Sequence, residues 1–137
     1  MLKILVAEDE AHNRDAITET LTRMGHTVVA CLDGRQALEA MSSSEFDLVL
    51  SDVRMPNMDG LQLFAASRKL LNKKTPFVFM TAYGRLEEAV SAMKQGALHF
   101  LTKPMRKKDL APILNEVEIM VGLPKASVST TDFSVPI

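Results

Sequence analysis

The sequence predicts an α/β domain: a doubly wound, parallel five-stranded sheet with helices on both faces. Three observations carry that reading. Short apolar runs at residues 3–7, 27–31, 46–51, 76–80 and 98–101 are continuous rather than alternating, as in strands buried on both sides. The stretches between them space their apolar residues as helices do. Glycine, proline or aspartate breaks the chain between the two patterns, at Gly25, Asp33-Gly34, Pro56, Gly60, Gly96 and Pro104.

Lys3-Ile4-Leu5-Val6-Ala7 opens the chain as a buried strand and ends in Glu8-Asp9-Glu10. Ala16, Ile17, Thr20, Leu21 and Met24 then share a helical face that stops at Gly25, a C-terminal cap residue. The β-branched run to Cys31 is the second strand. Asp33-Gly34 turns the chain, and Ala37, Leu38 and Met41 mark a short helix that dissolves in Ser42-Ser43-Ser44. The third strand runs from Phe46 and carries a carboxylate, Asp52, to its end. After the Pro56 turn, Leu63, Phe64, Ser67, Leu70 and Leu71 form a stripe. The fourth strand ends at Thr81. Leu86, Ala89, Val90 and Met93 make an amphipathic helix closed by Gly96, and a short fifth strand leads to Thr102-Lys103-Pro104. Leu110, Ile113, Leu114, Val117 and Met120 mark the last helix, with Pro112 in its early part, where proline does least harm.

Strand and helix alternate five times. Right-handed crossovers narrow the topologies, and the flavodoxin-like order 2-1-3-4-5 is the expected one. The 137 residues suffice for one folded domain, 1–122, followed by a Pro- and Ser/Thr-rich tail or linker stub at 123–137. A net charge of −1 gives no general attraction to nucleic acid or an anionic membrane. The local basic group Lys103, Arg106, Lys107 and Lys108 reads as a solvated face. The single cysteine, Cys31, has no internal disulfide partner and reads as a buried thiol, which fits an intracellular compartment. There is no apolar run of about 18 residues and no signal-peptide pattern, so a cytoplasmic location is expected.

The chemistry lies in where the polar residues fall. Glu8 and Asp9 follow the first strand, Asp52 ends the third, Thr81 the fourth, and Lys103 follows the fifth. In the order 2-1-3-4-5 these strands are successive neighbours, so all five groups meet at one sheet edge, where open α/β sheets bind ligands. Three carboxylates in one crevice repel unless a cation intervenes. Hard oxygen donors suit Mg²⁺, with Mn²⁺ as an alternative. An aspartate carboxylate is ionised near neutrality and attacks phosphorus without a general base. Lys103 would pair with Asp52 at rest and with a phosphoryl group afterwards, and Thr81 would hydrogen-bond a phosphoryl oxygen. Taken singly, the acids after the first strand could instead cap the next helix. His12, His26 and His99 show no metal-ligand spacing.

Ile4-Leu5-Val6-Ala7-Glu8-Asp9-Glu10, Asp52-Val53-Arg54-Met55-Pro56-Asn57-Met58-Asp59-Gly60, Met80-Thr81-Ala82-Tyr83-Gly84 and Lys103-Pro104 together resemble the receiver domain of two-component response regulators, over about residues 2–121. The wording around Asp52 and Thr81 is most similar to receivers of nitrogen-regulator-type, sigma-54 activators. The resemblance implies that Asp52 accepts a phosphoryl group from a sensor histidine kinase or phosphotransfer protein. It implies Mg²⁺ held by Asp9, Asp52 and the Arg54 backbone carbonyl, with Glu8 acting through water. It makes Thr81 and Phe100 the switch pair, with the helix 4–strand 5–helix 5 face as output or homodimer contact, and Lys103-Pro104 a candidate cis peptide bond. The chain itself is expected neither to bind nucleic acid nor to turn over a substrate. Glu8 replaces the family's usual aspartate, and Phe100 lacks the hydroxyl of the usual tyrosine. Arg54, Ala82 and Tyr83 flank the site, and Arg54 and Tyr83 are expected to screen an aspartyl-phosphate from water.

Two rival readings remain. A phosphatase using an aspartyl-phosphate typically has a second aspartate two positions after the nucleophile; here that residue is Arg54. The alternative function is a phosphorylation-independent interaction module of the same fold.

Overall fold

The computed structural model describes residues 1–82 and 85–122, so Tyr83 and the tail at 123–137 lie outside the described residues. Strands β1 (Lys3–Ala7), β2 (Thr27–Cys31), β3 (Leu48–Asp52), β4 (Phe77–Thr81) and β5 (His99–Thr102) alternate with helices α1 (Ala11–Arg23), α2 (Gly34–Ser43), α3 (Gly60–Lys69), α4 (Leu86–Lys94) and α5 (Lys107–Met120). The sheet is parallel throughout and ordered β2-β1-β3-β4-β5, the expected flavodoxin-like arrangement. Its register pairs Ala7 with Ser51, Asp52 with Met80, and Thr81 with Thr102, so the polar strand ends fall in line.

Alternate strand residues serve opposite faces. Ile4, Val6, Leu48, Leu50, Val78 and Met80 pack with Ile17 and Leu21 of α1 and with Leu110, Ile113, Leu114 and Val117 of α5. Leu5, Val49, Phe77 and Phe79 pack with Ala37 and Met41 of α2 and Leu63 and Phe64 of α3. Phe64 meets Phe77 and Phe79 edge-on, with ring centroids 4.9 and 5.9 Å apart. Among the described residues no helix is long and apolar enough to cross a membrane.

The structure corrects several sequence boundaries. Phe46 is buried but precedes β3, where Asp47 exchanges hydrogen bonds with Lys3. Helix α2 continues through Ser43 because Lys73 reaches across to the carbonyls of Met41 and Ser44 at its end. Leu70 lies just past α3 and is 73% exposed, off the stripe assigned to it. Met120 is likewise exposed at the end of α5. In α4 the anchors are Ala89 and Ala92, both fully buried, whereas Leu86, Val90 and Met93 are 68%, 44% and 40% exposed. The small residues let this helix lie close on β4 and β5, and the large ones are left facing out.

Asp33 does more than turn the chain. Its carboxylate caps α2 by accepting the Gln36 N–H at 2.9 Å, and it accepts the Asn57 amide at 2.7 Å. Those hydrogen bonds, the Gln36 one foremost, hold its carboxyl below the usual aspartate range. The stabilisation is therefore complete above the ordinary aspartate value and is lost as pH falls through the depressed one. Asp33→Ala is expected to lower stability by about 1–2 kcal/mol in urea titration at neutral pH, with the difference vanishing in acid.

Candidate functional site

The site forms where β1, β3, β4 and β5 end. Glu8 follows β1 and is fully buried. Its Oε2 accepts the Glu10 N–H at 3.0 Å and its Oε1 accepts Lys103 Nζ at 2.6 Å. Asp9, the next residue, is exposed. Asp52 ends β3, 9% exposed, with Oδ2 ion-paired to Lys103 and Oδ1 accepting the Arg54 N–H at 3.3 Å. One ammonium thus bridges two carboxylates.

Asp52 is held from behind by its own main chain. The Ser51 hydroxyl donates to the Asp52 carbonyl at 2.8 Å, and the Gly60 N–H donates to the Val53 carbonyl at 2.8 Å. A Cβ on residue 60 would stand 2.2 Å from the Asp52 carbonyl oxygen, so only glycine allows α3 to start there. The far side of the loop is fixed at α2, where the Gly34 N–H donates to the Met58 carbonyl at 3.0 Å.

Thr81 ends β4, 4% exposed, and its hydroxyl donates to the Ala82 carbonyl at 3.2 Å. Lys103 is set beside it by its own N–H, which donates to the Thr81 carbonyl at 2.9 Å, and the Lys103–Pro104 peptide bond is cis. Phe100, on β5, is 36% exposed and Ala82 is exposed. Arg54 is exposed and ion-paired to Glu88 of α4, a partner 34 residues away that no spacing in the sequence signals. The histidines stand apart: His26 accepts the Leu2 N–H and His99 pairs with Glu116, while His12 is exposed.

Burial is the largest influence on Glu8 and on Lys103. It pushes the Glu8 carboxyl above the usual glutamate range, against the opposing hydrogen bond from Lys103. Burial alone would lower Lys103, but its hydrogen bonds to Asp52 and Glu8 together outweigh that and hold the ammonium above the usual lysine range.

Glu8, Asp9 and Asp52 each present a carboxylate oxygen, all within 4.8 Å of one another. Opposite ligands of an octahedral Mg²⁺ lie about 4.2 Å apart, so this hard-oxygen set fits that ion when one member acts through water. Glu8, already engaged by Lys103 and the Glu10 N–H, suits that outer role.

The receiver-domain family profile for response regulators matches residues 4–115. The chain is 40% identical over 112 residues to the response regulator protein FleR of Pseudomonas aeruginosa, covering 82% of this chain and 24% of that one. It is 40% identical over 115 residues to the transcriptional regulatory protein ZraR of Escherichia coli, covering 84% of this chain and 26% of that one. The chain therefore spans about a quarter of the length of these curated relatives. Among solved structures, the receiver domain of NtrX from Brucella abortus superposes with a TM-score of 0.77 at 31% identity, over 83% of this chain and 96% of that one. The Francisella response regulator 1452 receiver domain gives 0.80 at 27% identity, over 88% and 99%.

Proposed function

The chain belongs to the response regulator receiver domain family, and from that premise we propose that Asp52 is its phosphoacceptor in a two-component signalling system. It is a receiver domain and not a conventional enzyme. The observation that carries the reading is the bridge: Lys103 pairs with both Glu8 and Asp52 at the strand edge that also holds Asp9.

In the proposed reaction an Asp52 carboxylate oxygen attacks phosphorus. The phosphorus–nitrogen bond of a phosphohistidine on the donor kinase or phosphotransfer protein breaks, and the imidazole leaves with the electron pair. Asp9, Asp52 and the Arg54 carbonyl would hold Mg²⁺, with Glu8 reached through water. The ion supplies charge neutralisation for the phosphoryl oxygens. Lys103 follows the transferred group, exchanging the carboxylate for a phosphoryl oxygen. The Thr81 hydroxyl turns from the Ala82 carbonyl toward the same group, and Phe100 swings inward behind it. The face of α4, β5 and α5 changes with them. The exposed Leu86, Val90, Met93 and Phe100 support that face as the output or homodimer contact. Transcriptional output is proposed because the relatives are transcriptional regulators, and the cytoplasm is the proposed compartment.

The test is intact mass after incubation with Mg²⁺ and a small acyl-phosphate donor. A gain of one phosphoryl group that chelation prevents is expected; a folded chain that gains nothing supports the phosphorylation-independent module instead. Once formed, the aspartyl-phosphate is expected to hydrolyse several-fold faster in Arg54→Ala and in Tyr83→Ala, measured as mass loss after the donor is removed. Unchanged rates would show that neither residue screens it.

A further inference from the structure

Arg54 touches two things at once. Its backbone N–H lies 3.3 Å from the Asp52 Oδ1, and its guanidinium is ion-paired to Glu88 in the first turn of α4. The two ends of the pair are unequal. The Arg54 side chain is 67% exposed, whereas that of Glu88 is 19% exposed. Glu88 Oε1 is buried and finds no hydrogen-bond partner among the described residues. The other nearby cation, Arg85, is 3.8 Å from Oε2 and sits at the start of the same helix. Glu88 therefore depends on Arg54, because an ionised group taken out of water needs a partner. Arg54 does not depend on Glu88 in the same way, since its exposed guanidinium can be hydrated.

A phosphoryl group on Asp52 replaces the single carboxylate charge with about two negative charges and brings three acceptor oxygens, two positions along the chain from Arg54. Guanidinium favours phosphate geometry, and the new anion carries more charge than the single carboxylate of Glu88. We propose that Glu88 is a positioning residue that competes with the phosphorylated Asp52 for Arg54. When Arg54 transfers to the phosphoryl oxygens, Glu88 keeps only the more distant Arg85, and the first turn of α4 shifts to hydrate it. The phosphoacceptor site and α4 are thus coupled by a side chain as well as by the movement of Thr81. The coupling is reciprocal: whatever Glu88 gains from holding Arg54 is withheld from the aspartyl-phosphate. The pair therefore shortens the phosphoryl lifetime. Loss occurs when water attacks phosphorus, the bond to the Asp52 oxygen breaks, inorganic phosphate departs and the carboxylate is restored.

This proposal rests on the phosphoacceptor reading, and one experiment separates their failures. The full chain, Glu88→Gln, Arg54→Ala and the double variant are phosphorylated with Mg²⁺ and a small acyl phosphate, the donor is removed, and intact mass is followed. Glu88→Gln keeps the shape of the side chain and is expected to lose its phosphoryl group about two- to fivefold more slowly than the unmodified sequence. Arg54→Ala should lose it faster, and the double variant should match Arg54→Ala, because Glu88 acts only through Arg54. In the unphosphorylated proteins, amide exchange over residues 86–94 should rise in Arg54→Ala, which strips a partner from the charged Glu88, and rise less in Glu88→Gln and in the double variant, where that charge is gone. A Glu88→Gln lifetime that is unchanged or shorter, or additive effects in the double variant, would overturn the competition while leaving the phosphoacceptor intact. No phosphoryl gain by the unmodified chain would overturn both.

Discussion

Asp52→Asn is expected to take up no phosphoryl group from a small phosphodonor, yet to fold at least as stably as the unmodified chain. The first half follows from the chemistry. The neutral carboxamide has no anionic oxygen to attack phosphorus and its nitrogen lone pair is delocalised into the carbonyl, and no other described carboxylate at the edge is placed like Asp52. Glu8 is fully buried with both oxygens engaged, while Asp9 is exposed on the loop after β1. The second half follows from the electrostatics. The substitution removes one of three mutually repelling carboxylates, and Lys103 keeps Glu8 as its partner at 2.6 Å. Intact mass and thermal melting in parallel check both halves. Mg²⁺ should raise the melting temperature of the unmodified chain and do so less in the variant, because one ligand oxygen is gone. Residual phosphoryl uptake at another residue would move the acceptor elsewhere.

Lys103→Met carries the largest expected stability cost. The ammonium is 19% exposed and lies between a fully buried Glu8 and an Asp52 side chain that is 12% exposed. Removing one partner of such a cluster leaves buried like charges uncompensated and costs about 3 kcal/mol. The pH dependence has a definite sign. Glu8 binds its proton more tightly in the folded than in the unfolded state, so its ionisation subtracts stability as pH rises from the ordinary glutamate value to its raised one. Without Lys103 that window extends further upward, and the deficit of the variant should shrink in acid, where Glu8 is protonated. The Lys103 contribution in the unmodified chain is complete below the ordinary lysine range and is lost as pH rises through the raised value. Mg²⁺ should recover more stability in the variant than in the unmodified chain, since no ammonium competes for the carboxylates. Equal urea midpoints at neutral pH, without metal, would show that the bridge adds nothing.

The sequence made the sheet legible because continuous apolar runs and turn residues are local signals. Placing Glu8, Asp9, Asp52, Thr81 and Lys103 together needed only the strand order, which right-handed crossovers restrict. What stayed hidden was set by contacts between distant segments. Nothing local shows that Lys103 bridges Glu8 as well as Asp52, 95 and 51 residues away. The Arg54–Glu88 pair is hidden for the same reason. Helix α4 is legible only in part. Its period correctly announces a helix, but periodicity cannot tell which of two apolar faces meets the sheet. Ala89 belongs to the stripe and to the buried face alike, while Ala92 alone marks the true inner side. Gly60 reads as a turn residue, and its closer duty, leaving room for the Asp52 carbonyl, appears only once α3 is seen to begin against β3.

The division of labour on α4 bears on how such a domain diversifies. Its attachment to the sheet is entrusted to two alanines, and its outward positions are filled by Leu86, Val90 and Met93, which the core does not use. Drift at those three positions therefore alters what the surface fits while leaving the fold nearly untouched, since substitutions away from buried features usually change stability little. The acidic cluster of Glu8, Asp9 and Asp52 lies instead where β1 and β3 end, apart from those three positions. One lineage of this domain can thus acquire new listeners without relearning how to receive the message.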